Sequence, residues 1–141
     1  MGEAAMNPPM GLTFVEVVFT GEAGSRGVYA LVDSGARYSV LPASLAESLG
    51  ARHVRLERFE LADGREVTWR LGQLDVECQG RRVTTLVVFG EGADVHLLGV
   101  YALEGLGLEL DPVHKELRPV KHHPLYHTIS SSESAVAPLT G

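Results

Sequence analysis

Apolar residues along this chain come in short runs that glycine, proline and polar residues separate, which is the pattern of a protein built mainly from β-strands. The first two runs are LTFVEVVFT at 12–20 and VYALV at 28–32, and a polar, glycine-rich segment at 21–27 lies between them. Both runs are rich in β-branched and aromatic residues, which suit a pleated, partly buried surface. The pattern therefore predicts a β-hairpin whose second strand ends at residue 32.

A second hairpin is indicated by residues 55–71, in which apolar and polar residues alternate on both sides of Asp63-Gly64. An Asp-Gly pair between two alternating runs is a strong local signal for a tight turn, because glycine adopts backbone angles that other residues avoid. The pattern does not distinguish a hairpin that covers a functional site from an ordinary surface hairpin. Both interpretations are open at this point.

From residue 73 the chain repeats the order of its first half. The segment LDVECQGRRVTTLVVF at 74–89 has the pattern of strand, turn and strand, and a polar loop connects it to Leu-Leu-Gly at 97–99. In the first half, the corresponding place after the hairpin is taken by Ser-Val-Leu at 39–41 and its neighbours. Such a repeat indicates two copies of one supersecondary unit, so we predict an internal pseudo-twofold.

Each copy is followed by a predicted short helix. The helices are expected at 44–49 and 101–106, because each segment ends before a glycine, the residue type that commonly closes a helix. Two short final strands are expected around the Asp-Pro turn at 111–112. Together these elements predict an all-β fold, a closed and mainly antiparallel β-barrel with two short helices.

The two ends of the chain lose this pattern. Residues 1–10 contain a Pro-Pro pair and no periodicity, and residues 121–141 are rich in His, Ser and Pro. We therefore expect a flexible N-terminal arm at 1–10, one folded domain at 11–120 and a disordered C-terminal tail at 121–141. A length of 141 residues suits a single domain with one hydrophobic core.

Composition narrows the classes of function. The chain is 45% hydrophobic and 21% charged, as in an ordinary soluble protein. Its formal net charge of −6, with no run of Lys or Arg, argues against a nucleic-acid-binding protein. No apolar stretch reaches the length of a membrane span, and the first residues do not form a secretory signal. We expect no nucleic-acid partner, no membrane association and a cytoplasmic location.

Cysteine and histidine give little sign of a reactive or metal centre. Cys78 is the single cysteine and lies in a predicted strand, which favours a buried, inert thiol over a catalytic nucleophile. Histidines gather towards the C-terminus at positions 114, 122, 123 and 127. We find no Asp, Glu or Cys at ligand spacing from them, so we expect no metal and no cofactor.

The candidate chemistry lies at Asp33, which directly follows the apolar run 28–32 and precedes a second apolar run at 40–42. Placing a carboxylate between two apolar segments costs free energy unless the carboxylate is hydrogen-bonded or has a chemical task. Asp-Ser-Gly is also a common turn sequence, and a purely structural turn would explain the tripeptide. The residues leave both explanations open.

The longer stretch ALVDSGARYSVLP at 30–42 resembles the active-site loop of retropepsin-like aspartic proteases. Two further marks of that family follow in order, an Asp-Gly hairpin at the position of the flap and Leu-Leu-Gly at 97–99 before a short helix. The resemblance covers about residues 12–119 and is strongest to bacterial and archaeal members. It implies the closed β-barrel of the retropepsin-like acid proteases and their peptide-hydrolysing activity.

The resemblance also implies a homodimer in which each chain contributes one catalytic aspartate, Asp33. Ser34, Gly35 and Ala36 would complete the active-site loop, and the Ser34 hydroxyl would form a hydrogen bond across the dimer. The substrate would be a peptide or a protein. The residues implied to contact the substrate are Gly35, Arg37, Ala62, Asp63 and Gly64.

A pair of aspartates suits amide hydrolysis, which needs a base to activate water and an acid to protonate the departing group. Two like charges about 4 Å apart repel by about 4 kcal/mol at an effective dielectric constant of about 20. The pair therefore holds one proton, and two identical side chains take opposite tasks. Because the aspartate occurs in only one half of the repeat, two chains would be needed to form the pair.

Two positions depart from the retroviral pattern. Many retroviral members carry an acidic residue at the position of Arg37 and an arginine at the position of Val100. Arg37 would then meet an acidic group of the partner chain, line a subsite for acidic side chains, or lie free in solvent. The functions left open are an aspartic endopeptidase and, alternatively, a catalytically weak dimerisation or peptide-binding module.

Overall fold

Nine strands and two short helices make up the part of the chain that the computed structural model describes, residues 12–122 and residue 125. The strands are β1 (Phe14–Gly21), β2 (Gly24–Val32), β3 (Ser39–Pro42), β4 (Arg52–Glu60), β5 (Glu66–Cys78), β6 (Arg81–Gly90), β7 (Leu97–Leu98), β8 (Leu108–Asp111) and β9 (Glu116–Pro119). The helices are α1 (Ala43–Ser48) and α2 (Val100–Leu106). The predicted β-rich class with two short helices is confirmed.

The predictions for the two ends of the chain fall mostly outside the described residues. The arm at 1–10 lies outside them, and so does the tail except for residues 121, 122 and 125. The domain boundaries therefore stay a prediction.

The first hairpin consists of β1 and β2, and its pairing continues to Gly21 opposite Gly24. The turn is thus much shorter than the segment 21–27 that composition indicated. Ladder hydrogen bonds are made by main-chain groups, which polar residues and glycine supply as well as apolar residues do. The polar part of the hairpin therefore pairs in spite of its composition.

The second predicted hairpin is also present. Strands β4 and β5 pair antiparallel from Arg52 opposite Gln73 to Glu60 opposite Glu66, with an irregularity between His53 and Arg55. Strand β5 extends beyond this hairpin and forms a further antiparallel pair with β6. Strand β5 therefore has a partner on each side, and β4 lies at the edge of the strand order.

The strands of the larger sheet follow the order β1-β2-β7-β3-β6-β5-β4, and β1 also pairs with β5. Most pairs are antiparallel, as predicted, but β7 runs parallel to β2 and β3 runs parallel to β6. The two short strands meet each other antiparallel where Val40 pairs with Leu97. The parallel pairs arise because each short strand is reached through a crossing loop rather than a hairpin turn. The closed barrel stays a prediction.

Both helices lie within one residue of their predicted bounds. Gly50 follows α1 with a φ of 77°, and Gly107 closes α2 with a φ of 72°. This left-handed backbone region suits glycine, which has no Cβ, so the two local signals identified the helix ends correctly. No helix in the described part of the chain is long and apolar enough to cross a membrane.

The hydrophobic core anchors the two short strands that lie beside the candidate site. Leu41 of β3 and Leu98 of β7 are both fully buried, together with Phe19 of β1. Burial of this size contributes on the order of 1.5–3 kcal/mol for each large side chain. Cys78 is 3% exposed in the same core, and burial raises the pKa of its thiol. The expectation that Cys78 is buried is therefore confirmed, and its inertness stays a prediction.

Candidate active site

The loop 33–38 connects β2 to β3 and carries Asp33 at its first position. The Asp33 N–H donates to the carbonyl of Leu98 at 3.0 Å, directly after Val32 pairs with Leu98 in the sheet. Asp33 is half-buried, whereas Ser34 and Gly35 are exposed. The sheet therefore fixes the backbone of Asp33, and the next two residues are open to solvent.

The Asp33 carboxylate forms a hydrogen bond within its own loop. Its Oδ1 accepts from the Gly35 N–H at 2.9 Å, and the Asp33 carbonyl accepts from the Ala36 N–H at 3.2 Å, which closes the turn. Within residues 12–122, no hydrogen bond or ion pair engages Oδ2. The structural and the chemical explanation are therefore compatible, because one oxygen stabilises the turn and the other has no partner within residues 12–122.

The first turn of α2 supports this loop. The Val100 N–H donates to the carbonyl of Ala36 at 2.8 Å, and the Tyr101 N–H donates to the carbonyl of Arg37 at 3.1 Å. A helix leaves these first amide groups without partners in its own backbone. The loop satisfies the helix N-terminus, and the helix in turn holds the carbonyls of the loop in place.

Gly99 packs against the loop more closely than any other residue type could. A Cβ at this position would lie 2.6 Å from the carbonyl carbon and oxygen of Tyr38 and 3.0 Å from the carbonyl oxygen of Ala36. The Gly99 N–H donates to Oγ of Ser39 at 3.1 Å, and Ser39 is fully buried. The Leu-Leu-Gly segment thus lies against the Asp33 loop.

Three aromatic rings join the loop to its surroundings. The Tyr38 ring lies edge-on to Phe59 of β4, with 5.7 Å between ring centroids, and edge-on to Tyr101 of α2 at 5.5 Å. Edge-to-face pairs of this kind add about 0.5–1.5 kcal/mol beyond the area they bury. Tyr38 therefore connects the Asp33 loop to the β4–β5 hairpin by direct contact between rings.

A cleft of about 740 Å³ lies between the loop and the β4–β5 hairpin. The hairpin contributes Arg58, Phe59, Glu60, Leu61 and Trp69 to the wall of the cleft. The loop contributes Gly35, Ala36 and Arg37, which include two of the residues predicted to contact substrate. Asp33 and Ser34 adjoin the cleft at the start of the loop and are not part of its wall.

The hairpin tip, with Ala62, Asp63 and Gly64, is exposed and does not line the cleft. Gly64 has a φ of 90°, and the Asp63 carboxylate accepts from the backbone N–H of Arg65 at 3.0 Å and from its guanidinium at 2.8 Å. These hydrogen bonds lower the pKa of Asp63. The tip is held by its own side chains, and its contact with substrate stays a prediction.

Sequence reasoning missed the residues that form the wall opposite the loop. Phe59 and Trp69 are ordinary members of an alternating pattern, which does not distinguish a cleft wall from a packing face. Ser39 is likewise a small polar residue at the start of an apolar run. The available signal was the position of the alternation next to an Asp-Gly turn, and that signal does not name individual residues.

The expectation that no acidic residue accompanies the C-terminal histidines is wrong for His114. The ligand atoms of Asp111, His114 and Glu116 lie within 4.8 Å of one another. The β8–β9 turn brings them together, because Asp111 and Glu116 are paired residues at its two ends. The positions of His123 and His127 lie outside the described residues.

The contacts within this group favour a structural turn over a metal site. Oδ2 of Asp111 is 2.7 Å from Nδ1 of His114, and it also accepts from Nη1 of Arg118 at 3.2 Å. The hydrogen bonds from His114 lower the pKa of Asp111 to about 2, and the same contact raises the pKa of His114. A cation would have to compete for the Asp111 carboxylate with Arg118 and, when His114 is protonated, with its imidazolium as well.

Comparison with known proteins identifies a family. A family model described as gag-polyprotein putative aspartyl protease matches residues 19–105, which include the Asp33 loop, the β4–β5 hairpin and the Leu-Leu-Gly segment. No curated protein matches the chain.

Proposed function

The chain belongs to the family of gag-polyprotein putative aspartyl proteases, and from this premise we propose that it is an aspartic endopeptidase that acts as a homodimer. Asp33 of each protomer would contribute one carboxylate to a shared site. The fold proposed with it is the closed β-barrel of retropepsin-like proteases, which the pairing of β1 with β5 supports. The substrate would be a peptide or protein bound in the cleft beside the loop.

The observation that carries the proposal is the state of the Asp33 carboxylate. Oδ1 is held by the Gly35 N–H at 2.9 Å, the described residues leave Oδ2 without a partner, and Gly35, two positions further along the loop, lines the cleft. A half-buried carboxylate whose only task was to stabilise the turn would need no cleft beside its loop. It would also need no contacts between that loop and the second half of the repeat. Here Gly99 and the first turn of α2 both hold the loop.

The proposed reaction uses the pair of carboxylates in two opposite tasks. The ionised member takes a proton from water while the water oxygen attacks the peptide carbonyl carbon. The protonated member donates its proton to the carbonyl oxygen, which gives a tetrahedral diol. As the C–N bond breaks, the member that took the water's proton passes it to the departing nitrogen, and the other member takes a proton back from a diol hydroxyl, so the pair again holds one proton. Exposed Ser34 and Gly35 would lie towards the partner loop and the substrate.

A catalytically weak dimerisation or peptide-binding module remains the second candidate. The observation in its favour is the hairpin tip, where the Asp63 carboxylate holds Arg65 in an ion pair of 2.8 Å. A tip closed by its own ion pair differs from a mobile, glycine-rich flap. The cleft and the dimer would then serve binding, with slow hydrolysis.

The experiment compares Asp33→Asn with Asp94→Asn. Asparagine keeps the size of aspartate but cannot take or share a proton, so Asp33→Asn should lower peptide hydrolysis by on the order of 10²–10⁴-fold or more. Asp94 is an exposed carboxylate in the loop after β6, and its variant should keep parental activity. Digestion of a diverse peptide library from pH 3 to pH 7 measures activity, and sedimentation measures the dimer.

We expect a dimeric parent with an optimum at acid to mildly acid pH, where the pair holds one proton. Asp33→Asn should keep the dimer, because it removes a like-charge repulsion. Full activity of Asp33→Asn would overturn the assignment of the catalytic residue. A dimeric parent that cleaves no peptide would favour the binding module, and a parent that stays monomeric while cleaving peptides would overturn the homodimer.

A further inference from the structure

The cleft beside the Asp33 loop differs in charge from the molecule as a whole. The chain has a formal net charge of −6, yet the charged residues that line the cleft are Arg37, Arg58 and Glu60, which sum to +1. A groove of similar size, about 780 Å³, has Glu16 and Glu77 as its charged lining residues. A positive cleft on an acidic protein favours ligands that carry negative charge.

The two arginines come from opposite walls and have little to neutralise them. Arg37 belongs to the loop, is exposed, and forms no ion pair within residues 12–122. Arg58 belongs to β4, and its guanidinium is 3.9 Å from Glu66, with both side chains about two-thirds exposed. An ion pair as exposed as this one is weak, so it leaves most of the charge of Arg58 available. Neither guanidinium group is therefore neutralised by a close ion pair within residues 12–122, and both are available to a carboxylate in the cleft.

The rest of the lining is largely apolar. It includes Phe59, Leu61 and Trp69 from the hairpin and Val40 of β3. Such a surface gains free energy when it covers an apolar side chain, by about 25 cal/mol for each Å² removed from water. The cleft thus combines one apolar wall with two cationic groups.

We infer that this cleft binds an extended peptide segment in which an acidic side chain lies next to a bulky apolar one, with Arg37 and Arg58 binding the carboxylate. The inference rests on the proposed function and narrows its substrate class. The apolar side chain covers Phe59 and Trp69. Glu60, the acidic residue of the lining, would attract a basic side chain and partly offsets the repulsion from the two arginines, so the test compares acidic with neutral peptides.

The test measures binding separately from hydrolysis. Trp69 is the single tryptophan of the chain and lines the cleft, so its fluorescence reports occupancy. The full-length Asp33→Asn protein is titrated with two peptides that differ only in Glu or Gln next to a leucine. We expect the Glu peptide to bind about three- to tenfold more tightly at low salt, with the advantage falling as salt is added.

Variants of the two arginines assign the effect. Arg37→Gln and Arg58→Gln should each remove part of the preference, and the double variant should remove it. Arg58→Glu should reverse it, whereas Arg37→Lys should keep most of it. Arg26→Gln is the matched control, because Arg26 is exposed on β2, away from the cleft, and the substitution changes the net charge equally.

Equal affinity for the two peptides, or a preference that survives the double variant, would overturn this inference while leaving the proposed hydrolysis intact. A Glu preference in a protein whose parent cleaves neither peptide would support the inference and count against the endopeptidase. If the Asp33→Asn protein fails to fold, the rates at which the parent cleaves the same two peptides measure the preference instead. Those rates should then show the same ratio.

Discussion

The two halves of the molecule follow one plan and differ at one functional position. In the first half, a hairpin leads through the loop 33–38 to β3 and α1, and in the second half β5 and β6 lead through the loop 91–96 to β7 and α2. Each short strand then pairs in parallel with the hairpin of the other half. This reciprocal pairing agrees with the internal repeat that the sequence predicts.

The structure sets the alignment of the two halves. Val40 and Leu97 pair with each other, and each lies three positions before the first residue of its helix. The repeat therefore aligns Leu97 with Val40. The sequence pattern of the two halves aligns Leu97 with Ser39, one residue earlier. On this alignment, the counterpart of Asp33 is Gly90, seven positions before Leu97.

A side chain at Gly90 would require its neighbours to shift. A Cβ there would lie 2.7 Å from Cβ of Ala93 and 3.2 Å from Cγ1 of Val40. The second half therefore has no carboxylate at this position, and a side chain could enter only if the loop 91–96 moved. The two halves within residues 12–122 thus offer one carboxylate at this pair of equivalent positions, which is why the proposed site calls for a second copy of the chain.

The two loops also differ in how they are held. Three backbone hydrogen bonds join the loop 33–38 to the opposite half, from Asp33, Val100 and Tyr101. The loop 91–96 has one such bond within residues 12–122, from Leu31 to the carbonyl of His96 at 2.8 Å. The loop with the carboxylate is thus the more strongly fixed of the two.

Gly99→Val tests whether close packing against the loop 33–38 is essential. The new side chain would collide with the backbone of Tyr38 at 2.6 Å, so we expect a loss of stability at the upper end of about 1–3 kcal/mol. Urea denaturation measures it. Gly27→Ala is the control, because its nearest contact would be an ordinary 3.9 Å. Equal stability of the Gly99→Val protein and the parent would show that the segment does not support the loop.

Ser39→Ala removes the buried hydroxyl that accepts from the Gly99 N–H at 3.1 Å. A buried donor without a partner costs about 1–3 kcal/mol, and we expect about 1–2 kcal/mol because the site is small. Thr85→Val is the matched control, since the buried Thr85 hydroxyl has no partner among the described residues and its loss should be neutral or stabilising. A Ser39→Ala protein as stable as the control would contradict the proposed support.

Gly90→Ala applies the same change to the second half. The nearest atom it would meet is Cβ of Ala93, in a loop with one tie to the opposite half, so the loop can move. We expect a loss of about 1 kcal/mol, the low end for overpacking. Thermal denaturation of the Gly90→Ala and Gly99→Val proteins side by side measures the two losses of stability. A larger loss for Gly90→Ala would show that the loop 91–96 is the more rigid of the two.

Stability measurements at acid pH need a separate control, because Asp111, which lies outside both loops, also titrates in that range. Asp111 has its pKa lowered to about 2 from 3.8, so its stabilising effect is complete above about pH 4 and is lost as the pH falls towards 2. The pKa of His114 is raised from 6.5, so its smaller contribution is present below pH 6.5 and is lost at higher pH. Both effects belong to the β8–β9 turn.

Melting temperatures from pH 7 to pH 2 should therefore fall less steeply for Asp111→Asn than for the parent at the acid end. Asp94→Asn should follow the parent. An unchanged slope in Asp111→Asn would place the acid sensitivity elsewhere in the molecule.

Local signals were enough for the elements around the candidate site. The apolar run that ends at Asp33, the Asp63-Gly64 turn and the glycines after both helices each depend on the conformational preferences of a few adjacent residues. For that reason the hairpins, the helix ends and the position of the Asp33 turn could be predicted from the chain alone.

Contacts between distant residues decided the rest. Three features depend on which segments meet in space: the parallel pairing of β3 with β6, the equivalence of Gly90 with Asp33, and the charge of the cleft. The conformational preferences of neighbouring residues do not predict those meetings. The cluster at Asp111 formed because strand register placed it opposite Glu116. The chain's own residues thus determined where a carboxylate stands at the end of a buried strand. Only the folded sheet decided which groups hold that carboxylate and which wall faces it, because burial and hydrogen bonding act between segments far apart in sequence.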